Sequence, residues 1–93
     1  MTTTKKRLQS QVDYLNKLVG AAQEPYRQSD GKFRANVGTY LINYDYNQPQ
    51  LQKLENESDG VSDPFGYRGT KDEIDRMLGA FIRGIEEGKR LSA

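Results

Sequence analysis

Ninety-three residues, with 14 Lys and Arg, 13 Asp and Glu, and neither cysteine nor histidine, point to one small domain, because a chain this short buries only about 60 to 65% of its unfolded surface. The missing residue types exclude disulfides, thiolate chemistry, the commonest zinc ligand and the usual general base. A net charge of +1 gives no bulk field towards nucleic acid or an anionic membrane, so any electrostatic binding must come from a local patch. No stretch approaches the roughly 18 apolar residues of a membrane span, and MTTTKKRLQSQ lacks the apolar centre of a signal peptide. The expectation is a cytoplasmic protein without cofactor, metal or membrane partner, residues 1–93 forming one domain with residues 1–5 and 89–93 frayed.

In chain order, Leu8, Val12, Leu15, Val19 and Ala22, with Tyr14 and Leu18 beside them, recur at helical spacing and predict a helix over about residues 6–23. Gln9, Asp13, Asn16 and Lys17 then fall on its wet face. Gly20 weakens the last turn and Pro25 stops it. The basic run Lys5, Lys6 and Arg7 reads as a solvated helix start, three charges being few for a nucleic-acid arm.

After the turn signal Ser29-Asp30-Gly31 the period changes to two. Phe33, Ala35 and Val37 alternate with polar residues, then Tyr40, Ile42, Tyr44 and Tyr46 do the same, which predicts strands. The apolar parity flips at Val37-Gly38, so Gly38 marks either a bulge or a tight turn. Asn47-Gln48-Pro49 reads as a turn and QLQKLEN as a further strand, although Leu51 and Leu54 stand three apart.

The stretch ENESDGVSDPFGYRGTKDE, residues 55–73, carries two candidate ligand motifs. Glu55, Glu57, Asp59 and Gly60 match four positions of a calcium loop, yet Gly66 stands where the bidentate acid belongs and Pro64 interrupts the loop, so a solvated acidic turn is expected. Gly66, Arg68, Gly69 and Lys71 lead into a helix N-terminus and offer an anion site. Thr70 and Glu73, however, have capping-box spacing and would occupy those amides themselves. The helix itself is predicted over about residues 71–87 from the stripe Ile74, Met77, Leu78, Phe81, Ile82 and Ile85, with Gly88 as its stop. The whole predicts an α+β domain: N-terminal helix, two- or three-stranded antiparallel sheet, C-terminal helix, both helices packed on one sheet face.

The run RANVGTYLINYDYNQPQLQKLENESDGV followed by TKDEIDRMLGAFIRGI resembles small uncharacterised proteins encoded by bacteriophages and prophages, over roughly residues 33–86. The chain departs from that pattern in having YNQP where a glycine-rich turn is usual, and fewer glycines in the acidic turn. The resemblance carries no catalytic signature and, the family having no established activity, implies a phage-type origin and not a mechanism.

With no catalytic motif, the expected role is that of a non-enzymatic accessory protein binding a host or phage protein. The contact surface would be the loop Asp59 to Arg68 with the start of the second helix. Phe65 and Tyr67 are apolar groups that a purely solvated loop does not need, and one ring held inward with the other beside Arg68 and Lys71 would make an aromatic-plus-arginine anchor. A homodimer through this surface or a helix face is compatible with that reading. The alternative is a nucleic-acid-binding factor that stacks bases on Tyr40, Tyr44 and Tyr46, with Lys32, Arg34 and Lys53 as phosphate partners.

Overall fold

The computed structural model describes residues 3–58 and 60–92, with Tyr46 described by its backbone alone. The first helix, α1 (Lys5–Val19), starts where the Thr4 hydroxyl accepts the Arg7 amide at 3.1 Å and ends at Gly20, whose φ of 75° is left-handed. There the Gly20 amide reaches the Lys17 carbonyl and the Ala21 amide reaches Asn16. This is a Schellman ending, and it stops the helix four residues short of the expected Gln23.

A hairpin follows, β1 (Tyr26–Ser29) paired antiparallel with β2 (Lys32–Ala35). Its two central turn residues, Asp30 and Gly31, both have positive φ, 53° and 76°. That combination is a type I′ turn, whose twist matches the strands it joins. Strand β1 was not expected, because YRQS has no apolar alternation. The parity flip at Gly38 proves to be a turn: Gly38 has φ 92° and the Thr39 amide closes on the Asn36 carbonyl at 3.1 Å. It leads into a second sheet, so the strands divide between two sheets. The second contains β3 (Tyr40–Asn43), β4 (Gln50–Leu54) and β5 (Val61–Ser62), antiparallel in the order β3-β4-β5.

The alternation from Tyr40 to Tyr46 does not give one long strand. The Asn43 side chain accepts the Asp45 amide at 2.9 Å and Asp45–Asn47 winds into a 3-10 turn, an Asx device that competes with the ladder. The last element, α2 (Lys71–Ser92), opens on the expected capping box: Glu73 N to Thr70 Oγ1 at 3.2 Å, Thr70 N to Glu73 Oε1 at 3.0 Å. Gly88 does not stop it, the helix continuing through it to Ser92.

Both helices cover one face of the second sheet. Leu8, Val12 and Leu15 of α1, Tyr40 and Leu51 of the sheet, and Ile74, Leu78 and Ile82 of α2 form one buried cluster. Ile42 lies opposite Leu51 on the same sheet face, so alternation presents these side chains to the helices. Phe81 adds an edge-on contact to Tyr40, 5.9 Å between centroids. The helices run side by side in the same direction, as successive bonds Thr3 to Asp72, Arg7 to Asp75 and Tyr14 to Glu86 require. Asn16, expected on the wet face, is 1% exposed.

Candidate interaction site

The loop between β5 and α2 is built largely from its own polar contacts. Asp63 Oδ1 accepts the amides of Phe65 and Gly66, and its other oxygen accepts Gln50 Nε2 at 2.6 Å. This turn drives Phe65 inward, where its ring meets Phe81 edge-on at 5.6 Å. Tyr67 stays outside, its hydroxyl donating to Glu73 Oε2 at 2.8 Å, which raises the Tyr67 pKa. One ring is thus turned inward and the other outward. Arg68 does not join Tyr67 in presenting a contact. Its Nη1 donates to the carbonyls of Asp45 and Gln48, both at 2.7 Å, and its Nη2 to Asn43 Oδ1 and Gln50 Oε1 at 3.1 and 2.8 Å. The guanidinium therefore clamps the turn between β3 and β4, an internal task. Lys71 is half-buried at the first position of α2. Asp59, the start of the expected contact loop and a candidate cation ligand, lies outside the described residues.

The tyrosine platform is not assembled. Tyr40 is 8% exposed and belongs to the core, so neither face of its ring is open to a base. Tyr44 lies in the turn after β3, half-buried against the same cluster, with Lys5 Nζ 4.6 Å from its ring centroid. Burial raises its pKa. Lys53 faces Tyr40 across the ladder, 5.7 Å from its centroid. Lys32 and Arg34 stand in the other sheet. The Tyr46 side chain is outside the described residues.

In the acidic turn, Asn56 does the organising: its Oδ1 accepts the amides of Ser58 and Gly60, each at 2.9 Å. The carboxylates diverge. Glu55 accepts from the Ser62 hydroxyl at 2.6 Å, and Glu57 pairs with Arg27 at 2.7 Å and lies 3.9 Å from Arg34. The geometry is that of a turn joining β4 to β5 and bracing the hairpin.

The most exposed large hydrophobic side chain among the described residues, Phe33, is on that hairpin. Phe33 is 78% exposed and Tyr26 42% exposed. Cross-strand pairing of Gln28 with Phe33 and Tyr26 with Ala35 puts both rings on one face. The opposite face carries Arg27, Lys32 and Arg34, of which Arg27 is held by Glu57, the Asn36 side chain and the Ala35 carbonyl. At its base the hairpin is fixed: Ala35 is buried and its amide donates to the Glu57 carbonyl at 3.3 Å. The signal for this element was present as Asp-Gly between two four-residue segments, the strongest short-range hairpin pattern. Compared with known proteins, the chain matches no family model, no curated protein and no solved structure.

Proposed function

We propose that the chain works by binding another protein, with the β1–β2 hairpin as the contact element and Phe33 as its anchor. The observation that carries this reading is the 78% exposure of a phenylalanine on a hairpin that is braced at its base. An exposed ring costs solvation without returning packing, and interfaces draw their energy from a few such rings set in a partner's apolar pocket. Tyr26 on the same face extends the apolar surface, and its hydroxyl suits the polar rim of an interface. The loop carrying Tyr67 is a secondary surface under this reading, because Phe65 and Arg68 are spent on the fold.

The test is capture from a bacterial lysate by the wild-type chain, by Phe33→Ser and by Tyr67→Ala, with melting measured on each. Phe33→Ser is expected to melt like the wild type and to lose the captured protein, whereas Tyr67→Ala retains it. Equal capture by Phe33→Ser and wild type removes the hairpin from the proposal.

A further inference from the structure

The outer side of the two parallel helices holds a groove that neither the core nor the hairpin uses. It has a volume of about 410 Å³ and is lined by Arg7, Gln11, Asp75, Arg76, Gly79 and Arg83. Bonds between the helices run along it: Arg7 Nε to Asp75 at 3.1 Å and Gln11 to the same carboxylate within its lining, and Tyr14 to Glu86 at 2.6 Å farther along the helix pair. On its α2 side the groove presents Arg76, Gly79 and Arg83, spaced by three and four residues and therefore on one face of the helix.

The charges in this groove are unequally committed. Arg7 spends its Nε on Asp75, which cancels that pair. Arg76 stands near Asp72 and Glu73, whose pKa values are lowered chiefly by hydrogen bonds from Thr3 and from Thr70 and only secondarily by its charge, and among the described residues it bonds to neither. Arg83 has neither hydrogen bond nor ion pair among the described residues, and its Nη1 lies back over Gly79, 3.8 Å from where a Cβ would stand. Gly79 has no internal reason to be glycine, since an alanine would make only that ordinary contact. Glycine within a helix costs about 1 kcal/mol relative to alanine, and here it leaves the groove floor open to the backbone.

The geometry points to a binding site for a phosphate group in this groove, held between the guanidiniums of Arg76 and Arg83 over Gly79. Two planar forks with ten N–H donors suit a dianion with three peripheral oxygens better than a single carboxylate, and guanidinium–phosphate bonds are strong and directional. A free phosphoester and a nucleic-acid backbone share this chemistry. The site is independent of the hairpin, so the two proposals stand or fall separately.

The experiment is an amide NMR titration of the intact chain with inorganic pyrophosphate, with a short oligothymidylate, and with sodium chloride at matched ionic strength. Saturable shifts centred on the Gly79, Arg76 and Arg83 amides with pyrophosphate, absent with chloride, are the expected result. A tighter response to the oligonucleotide, centred on the same amides, assigns the phosphate to a polymer; a response to pyrophosphate alone assigns it to a small ligand. Arg83→Gln should weaken binding by about tenfold or more, the loss expected for a charged hydrogen bond, while leaving the remaining spectrum unchanged. No saturable shift beyond the chloride control, or equal binding by Arg83→Gln and wild type, overturns the assignment.

Discussion

The Asn16 side chain and the Tyr40 main chain close on each other: Asn16 Nδ2 donates to the Tyr40 carbonyl at 3.0 Å, and Asn16 Oδ1 accepts the Tyr40 amide at 2.7 Å. The amide side chain thus does for β3 what a neighbouring strand would do, pairing an edge that lies beneath α1. It ties the first helix to the sheet by a directional contact inside an otherwise apolar layer.

Asn16→Ala should therefore be among the most costly single changes in the chain. It leaves one buried donor and one buried acceptor unpaired, at about 1 to 3 kcal/mol each, so a loss of about 2 to 6 kcal/mol is expected. Urea denaturation measures it, and amide exchange at Tyr40 should quicken in step. A loss of only about 0.5 kcal/mol, the scatter of ordinary surface substitutions, would mean that water replaces the side chain.

Asn16 also shows why part of the fold was hidden in the sequence. Helical spacing identified the apolar stripes of α1 and α2, and the spacing of Thr70 to Glu73 identified the capping box, because both depend on local period. Asn16 reads as polar and so as solvent-facing; its burial depends on a strand edge 24 residues away. The same holds for Arg68, whose four acceptors lie between Asn43 and Gln50. Tyr40 and Tyr44 were ambiguous for the opposite reason. Alternation puts both on one face, and only the Asx turn at Asn43 decides that the strand stops between them. The hairpin that carries Phe33 was legible through Asp30-Gly31 but lacked the apolar alternation that would have marked β1.

Arg68 as a clamp makes a prediction distinct from Arg68 as an interface residue. Arg68→Ala should destabilise the fold by about 1.5 to 3 kcal/mol, the range for hydrogen bonds to a charged group. Arg68→Lys should recover little of this, since one ammonium cannot reproduce two nitrogens each reaching two acceptors. Thermal melting of the pair of variants decides it: unchanged melting in Arg68→Ala would return the residue to the surface.

Gly31 is the hairpin's most constrained position, with φ at 76° beside Asp30 at 53°. No atom obstructs a Cβ there, so the cost of Gly31→Ala is backbone strain alone, about 1 to 2 kcal/mol. The hairpin is braced to the body at its base, through Ala35 and the Arg27–Glu57 pair, so strain at its far end should appear as local opening. Faster amide exchange in β1 and β2 is expected, with exchange in β3 and β4 unchanged. Equal protection throughout the hairpin of Gly31→Ala would show that the turn relaxes to another type.

Acid should weaken the molecule through the start of α2. Hydrogen bonds from Thr3 hold the Asp72 pKa below its ordinary 3.8, and hydrogen bonding to Thr70, then the Tyr67 hydroxyl, hold Glu73 below 4.5. A carboxyl whose pKa is lower folded than unfolded binds its proton more readily in the unfolded chain. Its stabilisation is therefore complete above the ordinary carboxylate range and is lost as pH falls through the folded value. Glu73→Gln keeps an acceptor for the Thr70 amide but removes the charge at the positive end of the helix. The wild type should melt above Glu73→Gln at neutral pH, and the gap should close as the pH falls below the carboxylate range. A gap that stays constant down to strongly acidic pH would assign the contribution of Glu73 to cap geometry and not to its charge.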